Sequence, residues 1–372
     1  MKPDFTSALR RATELVRAGN PAAATEMIQS SLAGNGAHAM KPTTELPSAH
    51  FKMPDMGQLG KRQGLAETLA SLASKIPAHG LAINEPTEPT LPEGARFDRG
   101  TFSCASGSRE YRVYIPSIKS DKPAALIMML HGCTQSPVDF ANGTDMNRIA
   151  EEQNLIVVYP AQSRGANMQS CWNWFGPADQ DRNAGEPAIL AGLAQQLQRE
   201  HDIPDGKTFV AGLSAGAAMA VILGRTYPEV FAAVCAHSGL PYKAAHDVPS
   251  AFAAMGGNTS GPAPAPTHRV PTIVFHGTSD STVNAANGQR IADDARPAGT
   301  EVLDDGTTNG RKYERTTSLS ANGESIMEYW RIDGLGHAWS GGNAAGSYAD
   351  ITGPDASAEM VRFFLDLPLK GN

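Results

Sequence analysis

The chain has 372 residues, 41% of them hydrophobic and 19% charged, with a formal charge of −7. This composition supports a sizeable core and excludes global disorder, and the acidic balance argues against an extended nucleic-acid or anionic-membrane surface. No apolar run approaches the roughly 18 residues needed to span a bilayer, and the four cysteines, Cys104, Cys133, Cys171 and Cys235, lack the spacing of a disulfide scaffold or a structural zinc site.

The first 95 residues read differently from the rest. Residues 1–16 contain no continuous apolar segment of the kind a secretory signal needs, which predicts a cytoplasmic location. Phe5, Leu9, Ala12, Leu15 and Val16 fall at helical spacing until Gly19-Asn20-Pro21 breaks the pattern. Ala23, Met27, Ile28 and Leu32 form a second stripe, and Leu65, Leu69, Leu72 and Ile76 a third. Residues 41–60 and 84–95 read as linkers, the second stiffened by Pro86, Pro89 and Pro92. The expected division is a helical N-terminal extension over 1–95 and one larger domain over 96–372. The extension is a candidate contact for a partner surface or a second copy of the chain, although amphipathic stripes most often pack against their own domain.

From about residue 100 the rhythm changes. A leading hairpin is expected over 100–115. Apolar runs at 126–131, 155–160, 208–213, 231–236, 271–276 and 326–332 predict strands. Most are continuous rather than alternating, as in strands buried on both faces of a parallel sheet. Helical patterns lie between them near 144–153, 186–200, 215–226, 284–295 and 355–366. This alternation predicts an open α/β sheet with right-handed crossovers. The Gly- and Pro-rich stretches 256–270 and 340–354 are expected to be loops, the first a candidate lid.

The chemistry concentrates at Gly212-Leu213-Ser214-Ala215-Gly216, which follows an apolar strand and opens an apolar helix. A serine between glycines can be an ordinary turn, but this context is that of a nucleophile elbow. A hydroxyl is a weak nucleophile and needs a base and a group to orient that base. In this topology the acid and the base follow the serine, in that order. Asp280 lies just after the strand at 271–276 and His337 just after that at 326–332. Asp293 and Asp294 read instead as a solvated helix end, and Asp304 and Asp305 as a turn. The oxyanion hole is expected to combine the amide of Ala215 with that of Cys133, which follows the strand ending at His131. His131 and His276 precede glycines at strand ends and read as loop-orienting groups, His237 as a pocket or core histidine. Trp339, two residues past His337, is expected to line an apolar substrate cleft. Trp172 and Trp174 alternate, and read equally as core aromatics. The scheme requires no metal and no organic cofactor.

Five motifs in order carry a family resemblance: His131-Gly132-Cys133-Thr134-Gln135, Cys171-Trp172-Asn173-Trp174-Phe175, Gly212-Leu213-Ser214-Ala215-Gly216, His276-Gly277-Thr278-Ser279-Asp280 and Gly336-His337-Ala338-Trp339. Over roughly residues 100–367 the chain resembles the polyhydroxybutyrate depolymerase family of esterases. The resemblance implies an α/β-hydrolase fold, a triad of Ser214, Asp280 and His337, an oxyanion amide from Cys133, and a polyester or small-ester substrate. The family also contains feruloyl and acetylxylan-type esterases, which makes a carbohydrate-linked ester the rival substrate. A non-catalytic, granule-associated binding protein on the same scaffold is the rival from another class. Cys133 and Cys171 lie in matching motifs; they read either as a disulfide pinning the Trp-rich loop or as two buried thiols of a reducing cytoplasm. Cys235 reads as core and Cys104 is unassigned.

Overall fold

The computed structural model describes residues 86–117, 122–258, 268–297 and 299–367. The three helical stripes expected before residue 77, the linker at 41–60 and the centre of the expected lid lie outside these residues. Residues 86–95 run along the domain rather than away from it. The Glu88 carboxylate accepts from the Arg112 guanidinium at 2.6 and 2.8 Å, and Thr87 O accepts from Asn142 Nδ2 at 2.9 Å.

Ten strands form one sheet in the order β1-β2-β4-β3-β5-β6-β7-β10-β9-β8. The hairpin β1 (Arg96–Cys104) and β2 (Gly107–Ile115) opens it. The parallel centre contains β3 (Ala125–Leu130), β4 (Leu155–Pro160), β5 (Thr208–Leu213), β6 (Ala233–His237), β7 (Thr272–Gly277) and β10 (Ser325–Ile332). Every residue of β3 to β7 is buried. That is why these segments read as unbroken apolar runs.

Successive side chains of β3 serve opposite faces. Leu126, Met128 and Leu130 join one cluster with Leu190, Leu193 and Leu197 of α3 (Gly185–Glu200) and Met219, Ile222 and Leu223 of α4 (Ala215–Thr226). Ile127 and Met129 join the other, with Phe140 of α1 (Pro137–Thr144), Met146 and Ile149 of α2 (Met146–Gln153), and Phe363 and Phe364 of α7 (Ala356–Asp366). Each such Leu, Ile, Met or Phe contributes about 1.5–3 kcal/mol by leaving water. Helices α3 and α4 on one face, joined there by α6 (Ala286–Ala295) against β7 and β10, and α1, α2 and α7 on the other make the layered α/β-hydrolase arrangement, as expected.

Besides α1, which precedes the first of the expected helical patterns, two larger features were not anticipated. One is α5 (Val248–Met255), opened by a capping box between Asp247 and Ser250. The other is the hairpin β8 (Glu301–Thr308) and β9 (Arg311–Leu319), which extends the sheet antiparallel to β10. Its strands are polar, β8 mostly exposed and β9 mostly half-buried, so they carry no apolar run. Asp304 and Asp305, expected in a turn, lie within β8; the turn is at Asn309 and Gly310, whose φ of 45° and 81° are the two left-handed positions of a tight hairpin. Helix α6 (Ala286–Ala295) follows β7, and the stretch 340–354 holds the two-residue strand β12 (Ala349–Asp350), which pairs with β11 (Trp339–Ser340).

Candidate active site

The C-terminal ends of β3, β5, β6, β7 and β10 meet at one rim, where ligands bind in open α/β sheets. Ser214 sits between β5 and α4 with φ 58° and ψ −119°. A non-glycine residue there is strained, and such strain persists only where the surroundings over-determine it. The determinants are visible. Ser214 N donates to His237 O at 2.9 Å, and Ser214 O accepts from Ala218 N at 3.0 Å. A Cβ on Gly216 would collide with the carbonyl oxygens of Leu130 and His131, and one on Gly212 with the backbone of Gly216. Only glycines let the elbow approach β3 so closely.

Asp280 and His337 come from turns that are stitched together. Thr278 N donates to Ile332 O at 2.9 Å, Ser279 N to Leu335 O at 3.1 Å, and Gly334 N to Thr278 Oγ1 at 2.9 Å. His337 Nδ1 then lies 2.8 Å from Asp280 Oδ2. Asp280 Oδ1 accepts from the amides of Thr282 and Val283, both at 2.9 Å. Burial pushes the Asp280 carboxyl up, but the hydrogen bond and charge of His337, the Val283 amide and His276 outweigh it and hold it below the ordinary value. An ionised Asp280 fixes the proton of His337 on Nδ1 and leaves Nε2 with its lone pair free. The His337 side chain keeps 11% of its surface exposed, while that of Asp280 is fully enclosed. No hydrogen bond joins Ser214 Oγ to His337 among the described residues. Such contacts are commonly long without substrate and tighten in the reacting complex.

The turn after β3 abuts Ser214: a Cβ on Gly132 would sit 3.6 Å from Ser214 Cβ. Gly132 N is taken by Gln135 Oε1 at 2.9 Å, Thr134 N by Gln169 O at 2.7 Å and Gln135 N by Gly132 O at 3.3 Å. Among the described residues the amide of Cys133 is in no such bond, and that of Ala215 stands at the start of α4, where backbone donors have no partner within the helix. Both therefore remain available to developing negative charge.

Cys133 and Cys171 form a disulfide, which settles the alternative left open by the sequence. The bridge ties the Trp-rich loop to the end of β3, and Trp172 Nε1 reinforces it by donating to His131 O at 3.1 Å. The loop is also held from behind by buried Glu186. Its carboxylate accepts from Asn173 N and Asn173 Nδ2, both at 2.8 Å, from Arg109 at 3.1 Å, and from Gln162. Burial, reinforced by Asp179, raises the Glu186 carboxyl above its ordinary value. No motif in the sequence marks this cluster. Trp172 and Trp174 are core residues, Cys235 is buried and Cys104 is exposed.

The expectation for Trp339 is corrected. It is 1% exposed, stacks on His237 at 5.1 Å, meets Phe140 edge-on at 5.6 Å and donates through Nε1 to Ser357 Oγ at 3.0 Å. An indole satisfied at both its face and its N–H packs the rim from below and does not line a cleft. The aromatic at the mouth is Tyr348, which sequence reasoning missed. It is 43% exposed, its ring lies 6.4 Å from that of His337, and its hydroxyl is 3.5 Å from Thr134 Oγ1. Its φ of 51°, unusual for an aromatic, is not readable from residue type.

His131 and His276 take the expected loop-orienting parts. His131 Nε2 accepts from Gln162 N at 3.1 Å, and burial lowers its pKa to about 4. His276 Nε2 donates to Val283 O at 2.9 Å. The rival carboxylates lie elsewhere: Asp304 pairs with Arg315, and Asp293 with Arg296.

Residues 109–299, about half of the chain, match the family model described as esterase PHB depolymerase. The chain is 30% identical over 253 residues to poly(3-hydroxyalkanoate) depolymerase C of Paucimonas lemoignei, covering 63% of this chain and 60% of that protein. It is 28% identical to the poly(3-hydroxybutyrate) depolymerase of Ralstonia pickettii, covering 71% and 59%. It is 26% identical to feruloyl esterase B of Talaromyces funiculosus, covering 51% and 59%. The chain thus spans about three fifths of the length of these curated relatives. Among solved structures, the acetyl xylan esterase of Aspergillus awamori superposes with a TM-score of 0.53 at 20% identity, covering 70% of this chain and 94% of that one, a likeness of fold.

Proposed function

This chain belongs to the PHB depolymerase family of esterases, and we propose that it hydrolyses carboxylic esters through a serine acyl-enzyme. Ser214 is the nucleophile, His337 the base and Asp280 the group that orients the base. The observation that carries this reading is the 2.8 Å bond from His337 Nδ1 to an enclosed carboxylate, at the rim that holds the strained Ser214.

In the proposed reaction Nε2 of His337 takes the proton of Ser214 Oγ as that oxygen attacks the ester carbonyl. The amides of Cys133 and Ala215 receive the oxyanion. His337 returns the proton to the departing alcohol. It next takes a proton from water as the water oxygen attacks the acyl-enzyme, and gives that proton to Ser214 Oγ as the acyl–oxygen bond breaks and the acid leaves. Every group the reaction needs is a protein group, so it calls for no metal or organic cofactor.

The proposed substrate is a polyester of hydroxyalkanoate type or a related short ester. The names of the relatives in Paucimonas lemoignei and Ralstonia pickettii support it. So does the exposed apolar surface of Tyr348 at the mouth and of Met168, which precedes the residue that holds the Thr134 amide. The Cys133–Cys171 bridge favours action in an oxidising compartment over the cytoplasm expected from residues 1–16. Contact of residues 1–85 with a granule or a second copy is tested by deleting them and measuring granule binding and oligomeric state.

The deciding experiment measures purified protein and Ser214→Ala on short 3-hydroxybutyrate oligomers, amorphous polymer, acetylated xylan and methyl ferulate. Turnover of the oligomers, abolished in the variant, is expected. Preference for ferulate or acetylxylan would transfer the assignment to carbohydrate-linked esters, and unchanged turnover in the variant would remove Ser214 from the reaction.

A further inference from the structure

We propose that His237 is a positioning residue that sets the distance between Ser214 and the loop carrying His337; this rests on the reading of those two residues as nucleophile and base. His237 ends β6 between β5 and β7, paired with Leu213 on one side and Phe275 on the other. Its backbone carbonyl accepts the amide of Ser214 at 2.9 Å. Its ring reaches the other partner: Nε2 accepts the amide of Ser340, three residues past His337, at 3.1 Å. One residue therefore grips the nucleophile through its main chain and the base-bearing loop through its side chain.

The chemistry of the ring suits it to this single task. A backbone N–H can only donate, so Nε2 carries no proton and the ring proton sits on Nδ1, facing Ser238 Oγ at 3.3 Å. The ring is clamped by Phe275 at 5.7 Å and Trp339 at 5.1 Å, both nearly parallel to it. It is fully buried, and burial, aided by His276 and His337, pushes its pKa down to about 3. A proton on Nε2 would displace the Ser340 amide, so a ring that is neutral at ordinary pH keeps the tether closed. Downstream, the loop is held by Trp339 N on Tyr348 O at 2.7 Å and Ser340 Oγ on Pro354 O at 2.8 Å. Among the described residues the ring of His237 is the partner of the Ser340 amide.

Two substitutions separate tethering from packing. His237→Phe keeps an aromatic between Phe275 and Trp339 but removes the acceptor, whereas His237→Gln places an amide oxygen near the position of Nε2. The readouts are kcat and KM on p-nitrophenyl acetate and the rate of inactivation by a fluorophosphonate, with Ser214→Ala in parallel. A displacement of about 1 Å between reacting groups costs roughly 10²-fold. His237→Phe is expected to lose roughly that factor in kcat and in inactivation rate, with KM little changed. His237→Gln is expected to recover most of it. Wild-type kcat in the Phe variant, or equal loss in a folded Gln variant, would overturn the proposal. If the Phe variant does not fold, His237→Asn replaces it. Its amide is too short to reach Ser340, so an Asn variant as active as Gln overturns the proposal as well. Turnover retained by Ser214→Ala would instead defeat the underlying assignment of the nucleophile.

Discussion

Asp280 and His337 are 57 residues apart in the chain, yet His337 Nδ1 and Asp280 Oδ2 are 2.8 Å apart in space. Their turns follow neighbouring parallel strands, β7 and β10, in register from Met327 opposite Thr272 to Ile332 opposite Gly277. A Cβ on Gly277 would overlap the Leu335 carbonyl, so the two turns touch backbone to backbone. The pair is thus set by rigid main chain.

Asp280→Asn tests the orientation of the base. The amide cannot fix the Nδ1–H tautomer as a carboxylate does, and the equivalent change in a serine protease lowers kcat about 10⁴-fold. A fall of roughly 10³–10⁴ in kcat on a short ester, with KM nearly unchanged, is expected from steady-state kinetics.

The same carboxylate contributes to acid stability. Its folded-state pKa is depressed, so its contribution is present above the ordinary carboxylate value and is lost as pH falls through the folded one. The stability gap between wild type and Asp280→Asn is expected to stay level from pH 7 to about 5 and to narrow below about 4. Urea midpoints at pH 7, 5, 4 and 3 measure it.

The Cys133–Cys171 bridge closes a loop with a sequence separation of 38. Chain-entropy arguments give about 4 kcal/mol for a loop of that length. Reduction, or the double Cys→Ala change, is expected to lower Tm by roughly 6 °C for a domain of this size. It is also expected to reduce kcat, because the freed turn carries the Cys133 amide. Calorimetry with and without dithiothreitol, paired with ester assays, checks both.

Gly216→Ala is expected to be more harmful than its one methyl group suggests. The added carbon would meet the Leu130 and His131 carbonyls, forcing β3 away from the elbow. A loss of about 3 kcal/mol or more, of the size that overpacking produces, should accompany near-complete loss of phosphonate labelling. Full labelling of a stable variant would show that the elbow tolerates separation from β3.

Tyr348→Ala is expected to raise KM for oligomeric esters several-fold while leaving kcat on p-nitrophenyl acetate within about twofold. The ring stands at the mouth and holds none of the reacting groups. Equal effects on both substrates would make its part structural.

Much was determined by the chain alone. The strands of the parallel centre announced themselves because burial on both faces demands unbroken apolar runs, and Ser214, Asp280 and His337 stood out as the proposed triad because such chemistry needs strand-end turns in a given order. The tertiary structure decided what depends on neighbours far off in the chain. Trp339 looks the same in sequence whether it faces a cleft or stacks on His237, and Tyr348 became the mouth aromatic only because the 340–354 loop folds back on Thr134. Cys133 and Cys171 became a bridge because the Trp-rich loop returns to β3, drawn there by Glu186, which no motif marks. The polar strands β8 and β9 were hidden for a related reason: at an exposed sheet edge it is backbone pairing, and not side-chain burial, that makes a strand.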